Sequence, residues 1–175
     1  QIYNNLKCIF VHIPKTAGTS IEQCLKESND IDQIVGGHTT CQALLHYKKL
    51  EFCNMFSFAI VRNPYDRLLS AYKYMLKMET NEILGNEPIK ECKDFKDFVM
   101  NYLTPETISN MHLRPQYEFV TYKGEICVDY WGKYEQLDAV WKVICKKIRK
   151  EITLPWLNKS NSDPYYSFYD SEMRE

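Results

Sequence analysis

Residues 7–20 read KCIFVHIPKTAGTS, and this stretch decides the fold class. Its first half, residues 7–13, is a short apolar and β-branched run, which is typical of a buried strand. Residues 14–18 form a loop of mostly small residues. Residues 19–27 then place Ile21, Cys24 and Leu25 on one helical face. The stretch therefore predicts a strand, a turn and a helix in direct succession.

A second stretch of the same kind lies at residues 55–78. Residues 55–61 (MFSFAIV) predict another buried strand. Asn63 and Pro64 predict the start of a helix that runs to about Met78, because Asn caps helices well and Pro suits the first helical position. Two strand–turn–helix units built on buried strands predict an α/β fold, in which helices flank a central parallel β-sheet.

The remaining elements are predicted from apolar spacing alone. We expect helices at residues 40–50, near residues 95–102 and at residues 137–148. Further strands are expected at residues 116–122 and 126–130. The length of 175 residues suits a single domain covering residues 1–175. In parallel sheets of this kind, ligands bind beyond the carboxyl ends of the strands.

Composition excludes several classes of protein. The formal net charge of -1 argues against a general nucleic-acid binder. No apolar run approaches the roughly 20 residues that span a bilayer. The seven cysteines include no CxxC pair and no tight Cys/His cluster, so we expect no structural zinc site. Most are predicted to be free core thiols, although one or two disulfides remain open if the protein is secretory.

The turn after the first strand has the chemistry of an anion site. Backbone amides and the dipole at a helix N-terminus attract anions, and Gly18 permits a close approach. Lys15 adds a cation, and three hydroxyls follow on Thr16, Thr19 and Ser20. The order differs from the triphosphate loop GxxxxGK[ST], since Lys15 precedes Gly18. An ordinary capped helix with a surface lysine remains the plainer interpretation.

The turn after the second strand offers another anion site. Arg62 ends the strand, where a forked guanidinium can bind an anion, and Ser70 on the following helix carries a hydroxyl. Arg67 either joins this site or forms a structural salt bridge, for example with Asp66. The residues alone leave both interpretations open.

These two turns closely resemble the signature motifs of one enzyme family. Residues 10–20 (FVHIPKTAGTS) resemble the 5'-phosphosulfate-binding motif of sulfotransferases that use 3'-phosphoadenosine-5'-phosphosulfate (PAPS). Residues 61–72 (VRNPYDRLLSAY) resemble the family's 3'-phosphate-binding motif. The likeness is greatest to the carbohydrate branch that includes the heparan 2-O and chondroitin 4-O enzymes, in the form of a short bacterial-type member.

The resemblance implies a P-loop-like sulfotransferase fold and a set of site residues. It implies that the donor PAPS and its product adenosine 3',5'-bisphosphate (PAP) are held by residues of both motifs and of a later loop, namely Lys15, Thr16, Ala17, Gly18, Thr19, Ser20, Arg62, Ser70, Asn158 and Ser160. His38 is the expected base and Lys15 the second catalytic residue. His112 and Arg114 are expected to bind the acceptor hydroxyl compound, a carbohydrate or another small molecule. No metal is required.

Two other functions remain open from the sequence. The same anion sites would suit an ATP-using, kinase-like transferase, although no GKS-type loop and no acidic pair for magnesium is present. A non-catalytic module that binds PAPS or a partner is the other alternative. The expected location is the cytoplasm, and the alternative is the Golgi lumen for a truncated membrane protein. Oligomeric state is left open.

Overall fold

The computed structural model describes residues 1–27, 37–77, 89–155 and 163–174. Its contacts divide the chain into two compact units. The first holds Gln1–Arg62 and Gln116–Lys159, and the second holds Asn63–Pro115 and Ser160–Glu175. The single domain expected from the sequence stays a prediction.

The first unit is built on a mostly parallel sheet. Among the described residues, the sheet has the strand order β1-β2-β3-β6, with β1 at Ile2–Tyr3, β2 at Cys8–Val11, β3 at Phe56–Val61 and β6 at Tyr130–Lys133. β2, β3 and β6 are parallel, and β1 is antiparallel to β2. A separate hairpin pairs β4 (Thr121–Tyr122) with β5 (Glu125–Ile126).

Alternating side chains of the strands bury both faces of this sheet. On one face, Phe10 and Phe58 pack in a core with apolar residues of α1 (Gly18–Glu27) and α7 (Leu137–Ile148). On the other face, Val11 and Ala59 pack with residues of α2 (Cys41–Tyr47), α3 (Lys49–Asn54) and α6 (Tyr117–Val120). The prediction of an α/β fold with a mostly parallel sheet between helices is confirmed.

The second unit is helical. Its main element is α4 (Pro64–Lys77), which starts directly after β3 and Arg62, as Asn63-Pro64 predicted. A short helix α5 (Phe95–Asp97) continues into a π-helical turn at Phe98–Tyr102. Apolar side chains of these elements form a core with Leu113, Tyr169 and Met173.

Several predicted elements differ from the structure. The helix predicted at residues 40–50 is two helices. The helical conformation is interrupted at Lys48, whose φ and ψ are -137° and 42°. The strand predicted at residues 116–122 is wrong, since α6 occupies most of it and only Thr121–Tyr122 is extended. The third parallel strand starts at Tyr130, where the predicted strand at residues 126–130 was expected to end.

One disulfide lies within the first unit. Cys41 at the start of α2 is bonded to Cys127, which follows β5. The other five cysteines are free, and only Cys8 and Cys24 among them are buried. The prediction that most cysteines are free is therefore confirmed, whereas their placement in the core holds for only two. Every helix among the described residues is too short or too polar to cross a membrane.

Candidate functional site

Three parallel strands of the first unit end at the same edge of the sheet. The register pairs Val11 with Ala59 and Val61 with Lys133, so the segments after β2, β3 and β6 follow one another along that edge. These segments hold the first turn, Arg62 and Tyr134 respectively. The carboxyl edge of the sheet is where α/β proteins bind ligands.

The loop after β2 has an unusual backbone. Lys15 and Ala17 both have positive φ, 69° in each case, although neither is glycine. Such left-handed residues are uncommon outside glycine, and they let successive backbone N–H groups point into one concavity. The Thr16 hydroxyl donates a hydrogen bond of 2.8 Å to the carbonyl of Ile13, which closes the loop from inside. Such a backbone is typical of loops that bind anions, and we call residues 14–17 the cradle.

Helix α1 begins directly from this cradle. Its first internal hydrogen bond runs from the Ile21 N–H to the Ala17 carbonyl, at 3.2 Å. The N–H groups of Gly18, Thr19 and Ser20 precede that donor, and such groups at a helix start attract anions. Thr19 is exposed, whereas Ser20 is buried.

A His–Glu pair packs against the residue that follows the cradle, Gly18. His12, at the end of β2, donates from Nδ1 to the Glu22 carboxylate at 2.6 Å, and Glu22 also accepts from the Gln1 side chain at 3.1 Å. The opposite edge of the His12 ring packs against Gly18, where any Cβ would overlap it. Burial opposes ionisation of Glu22, but the hydrogen bond and charge of His12 outweigh it, and the pKa of Glu22 is lowered.

His38 lies beside this pair. Its Nδ1 is 3.2 Å from the carbonyl oxygen of His12, and the two rings meet edge to face with centroids 4.3 Å apart. Gly37 before it has a φ of +54°, a conformation that favours glycine, and Thr40 after it caps α2 by accepting from the Ala43 N–H. Burial first, and the charge of His12 second, lower the pKa of His38 below its ordinary value.

Arg62 connects the ends of two strands. Its Nη1 donates to the carbonyl of Lys15 at 3.1 Å. The arginine of the second predicted anion site therefore contacts the loop of the first one directly.

A family model described as "Sulfotransferase family" matches residues 2–163. The chain belongs to the sulfotransferase family. Comparisons with curated proteins and with solved structures gave no significant match.

The other predicted site residues of this sulfotransferase lie in the second unit or outside the described residues. Ser70 is half-buried on α4. His112 is buried, with its ring 5.0 Å from that of Tyr74, and the Arg114 side chain donates to the Ser109 carbonyl at 3.4 Å. Asn158 and Ser160 fall outside the described residues.

Arg67 makes contacts that the sequence did not predict. Its guanidinium is buried in the second unit, where Nη2 donates to the carbonyls of His112 at 3.2 Å and Arg114 at 2.9 Å. Burial lowers the pKa of Arg67 to about 10. Two backbone carbonyls are thus partners of this buried group.

Sequence reasoning missed three residues that shape the site of this sulfotransferase: Glu22, Gln116 and Tyr134. Glu22 sits one helical turn after Gly18, and nothing in its local pattern distinguishes it from a surface glutamate. No local pattern points from Gln116 or Tyr134 to Arg62, and only the structure shows that both contact it. No group of three or more metal-binding side chains occurs within the described part of the chain.

Proposed function

We propose that this sulfotransferase transfers the sulfuryl group of PAPS to a hydroxyl of a carbohydrate or other small molecule. The observation that carries the proposal is the cradle of residues 14–17, which leads into α1 and is contacted by Arg62. Family members normally use PAPS as the donor. The donor has anionic groups at both its 5' and 3' positions, and the two anion-binding turns suit this distribution of charge.

The cradle would hold the 5'-phosphosulfate mainly through its backbone. The hydroxyl proton of Thr16 is already used within the loop, so Thr16 is expected to contribute its backbone N–H rather than its side chain. Ala17, Gly18, Thr19 and Ser20 add donors at the start of α1. Lys15 supplies the positive charge that offsets the charge on the departing phosphate oxygen.

Arg62 would bind the 3'-phosphate, because a guanidinium presents paired donors that match phosphate oxygens. We keep Ser70, Asn158 and Ser160 as further nucleotide contacts, all on the strength of the family motifs. His112 and Arg114 remain proposed acceptor contacts. The carbohydrate branch and the short bacterial type are also proposals.

His38 is the proposed base, and its hydrogen bond selects the useful tautomer. A carbonyl oxygen can only accept, so the proton of neutral His38 resides on Nδ1, and Nε2 carries the lone pair. Nε2 would take the proton of the acceptor hydroxyl while the new oxygen–sulfur bond forms. The bond from sulfur to the 5'-phosphate oxygen breaks, and PAP leaves with that electron pair. Positioning and charge stabilisation supply most of the catalysis in group transfers of this type.

The disulfide bears on the compartment. Protein disulfides persist mainly in oxidising compartments and are rare in the cytosol. Cys41–Cys127 therefore favours the lumenal alternative over the cytoplasmic location that the sequence suggested. The compartment remains a proposal that the location of the tagged protein in its own cells would test.

Titration calorimetry with PAP, AMP and ATP tests the donor assignment. We expect PAP to bind at least ten times more tightly than AMP, and the preference to disappear in Arg62→Ala. Equal binding of ATP and PAP would favour the kinase-like alternative. If PAP binds but labelled PAPS transfers no sulfuryl group to any member of a panel of carbohydrates and phenols, the non-catalytic alternative replaces the proposed sulfotransferase activity.

A further inference from the structure

Two residues on neighbouring segments, Tyr134 and Gln116, contact Arg62 at opposite ends of the residue. The first is Tyr134, which follows β6 as Arg62 follows β3. Because the parallel register pairs Val61 with Lys133, the next residues of the two strands come side by side. The Arg62 guanidinium carbon lies 4.3 Å from the centroid of the Tyr134 ring. This is a cation–π contact, in which the ring face attracts the charge and limits its motion.

The second residue is Gln116, which holds the backbone of Arg62. The Arg62 N–H donates to Gln116 Oε1 at 2.9 Å, and Gln116 Nε2 donates to the Arg62 carbonyl at 2.7 Å. The side-chain amide thus bonds both polar groups of one residue, as a neighbouring strand would do. Because β3 ends at Val61, Arg62 follows the last residue of the strand. The hydrogen bonds from Gln116 take the place of those that a neighbouring strand would make.

The two contacts act on different parts of the same residue. Gln116 fixes the backbone from which the side chain departs, whereas Tyr134 fixes the guanidinium at the other end. The hydrogen bond from Nη1 to the Lys15 carbonyl adds a third restraint. A free arginine loses much rotamer freedom when it binds an anion, and restraint in advance removes part of that entropic penalty.

We propose that Tyr134 and Gln116 are positioning residues that preorganise Arg62 and thereby set the preference of the enzyme for a 3'-phosphorylated nucleotide. The inference rests on the proposed function, in which Arg62 binds the 3'-phosphate. It places donor specificity partly in residues that do not touch the donor.

The test compares the affinities of PAP and AMP, which differ only in the 3'-phosphate. Tyr134→Leu removes the ring face, and we expect it to weaken PAP binding roughly three- to thirty-fold, as loss of a cation–π contact implies. AMP binding should change by less than about twofold. Tyr134→Phe keeps the ring and should bind both nucleotides as the wild type does. Tyr47→Leu, the same change at an exposed tyrosine of the same unit, is the matched control.

A double variant separates positioning from direct contact. If Tyr134 acts through Arg62, adding Tyr134→Leu to Arg62→Ala should cause no further loss of PAP affinity. Gln116→Met, which keeps the length but removes both hydrogen bonds, should lower the PAP-to-AMP preference in the same direction. Melting temperatures check that each variant is folded.

The outcomes distinguish this inference from the function on which it rests. A wild type that binds PAP and AMP equally removes the proposed 3'-phosphate site, and the inference with it. A wild type that prefers PAP, together with a Tyr134→Leu variant that loses affinity for both nucleotides equally, keeps the site and overturns the positioning role. An unchanged preference in Tyr134→Leu overturns it as well.

Discussion

The Nδ1 atom of His38 lies 3.2 Å from the backbone carbonyl oxygen of His12, the residue that directly follows β2 and is separated from the anion cradle by one residue. This contact joins the proposed base to the end of the strand that leads into the proposed donor site. It also fixes which ring nitrogen is protonated, since the carbonyl can only accept. The relationship depends on the backbone of His12, so substitution of the His12 side chain leaves the accepting atom in place.

The first prediction concerns the acid limb of the pH–rate profile. Burial, followed by the charge of His12, lowers the pKa of His38 below its ordinary value of 6.5. A base works when neutral, so activity is retained above the pKa and lost as pH falls through it. We expect the acid limb of kcat/KM for the acceptor, measured at saturating PAPS, to have its midpoint below 6.5.

Two variants show whether this limb belongs to His38. His38→Ala should lower kcat by about a hundred-fold or more, in keeping with the loss of a general base. Its residual activity should lack the acid limb, while PAP affinity stays near that of the wild type. A limb that persists in His38→Ala would assign the titration to another group.

The second prediction tests the close packing of Gly18 on His12. A Cβ at residue 18 would overlap the His12 ring, which is held by Glu22 on one side and stacked on Phe10 with centroids 5.3 Å apart. Gly18→Ala should therefore lower the free energy of unfolding by about 1–3 kcal/mol and weaken PAP binding. Thr19→Ala, at the exposed neighbouring position, is the control for stability. Denaturant unfolding measures the stability of both variants. Equal stabilities of Gly18→Ala and wild type would contradict the packing argument.

The parts of the fold that local pattern predicted are those with strong periodicity and clear boundaries. The buried strands β2 and β3 and the helices α1, α4 and α7 were placed within a few residues, because apolar runs and the Asn63-Pro64 helix start are local signals. The turn between β2 and α1 was placed for the same reason. The positive φ values of Lys15 and Ala17 were not predicted, because neither residue type favours them.

The parts that failed depend on contacts distant in sequence. The residue types at 116–122 favour a strand. In the structure, Gln116 instead bonds the backbone of Arg62, 54 residues earlier, and α6 begins at the next residue. The two carbonyls that Arg67 contacts lie more than 40 residues away, so no local pattern indicates them. Such contacts are set by tertiary packing, which overrides local propensity.

The third prediction is a thiol count. Of the seven cysteines, Cys41 and Cys127 are bonded, so alkylation of the unreduced, denatured protein followed by mass spectrometry should label five. The bond closes a span of 86 residues, and the chain-entropy model gives such a cross-link about 4–5 kcal/mol of stability. Cys41→Ser should therefore melt well below the wild type, whereas Cys53→Ser, at an exposed free thiol, should not. Labelling of all seven would contradict the disulfide.

The fourth prediction separates a structural role of Arg67 from a ligand role. Arg67→Met removes the buried guanidinium and leaves the carbonyls of His112 and Arg114 without that donor. Each buried polar group that loses its partner costs about 1–3 kcal/mol, so the free energy of unfolding should fall by about 2–5 kcal/mol. Arg67→Lys should recover only part of the lost stability. The lysine side chain is shorter, and its single ammonium group replaces a planar guanidinium with several donors. Lys77→Met, which removes an exposed cation from the same helix, should change stability by less than about 0.5 kcal/mol. If Arg67→Met unfolds like the wild type yet loses PAP affinity, Arg67 belongs to the 3'-phosphate site instead, as the sequence had left open.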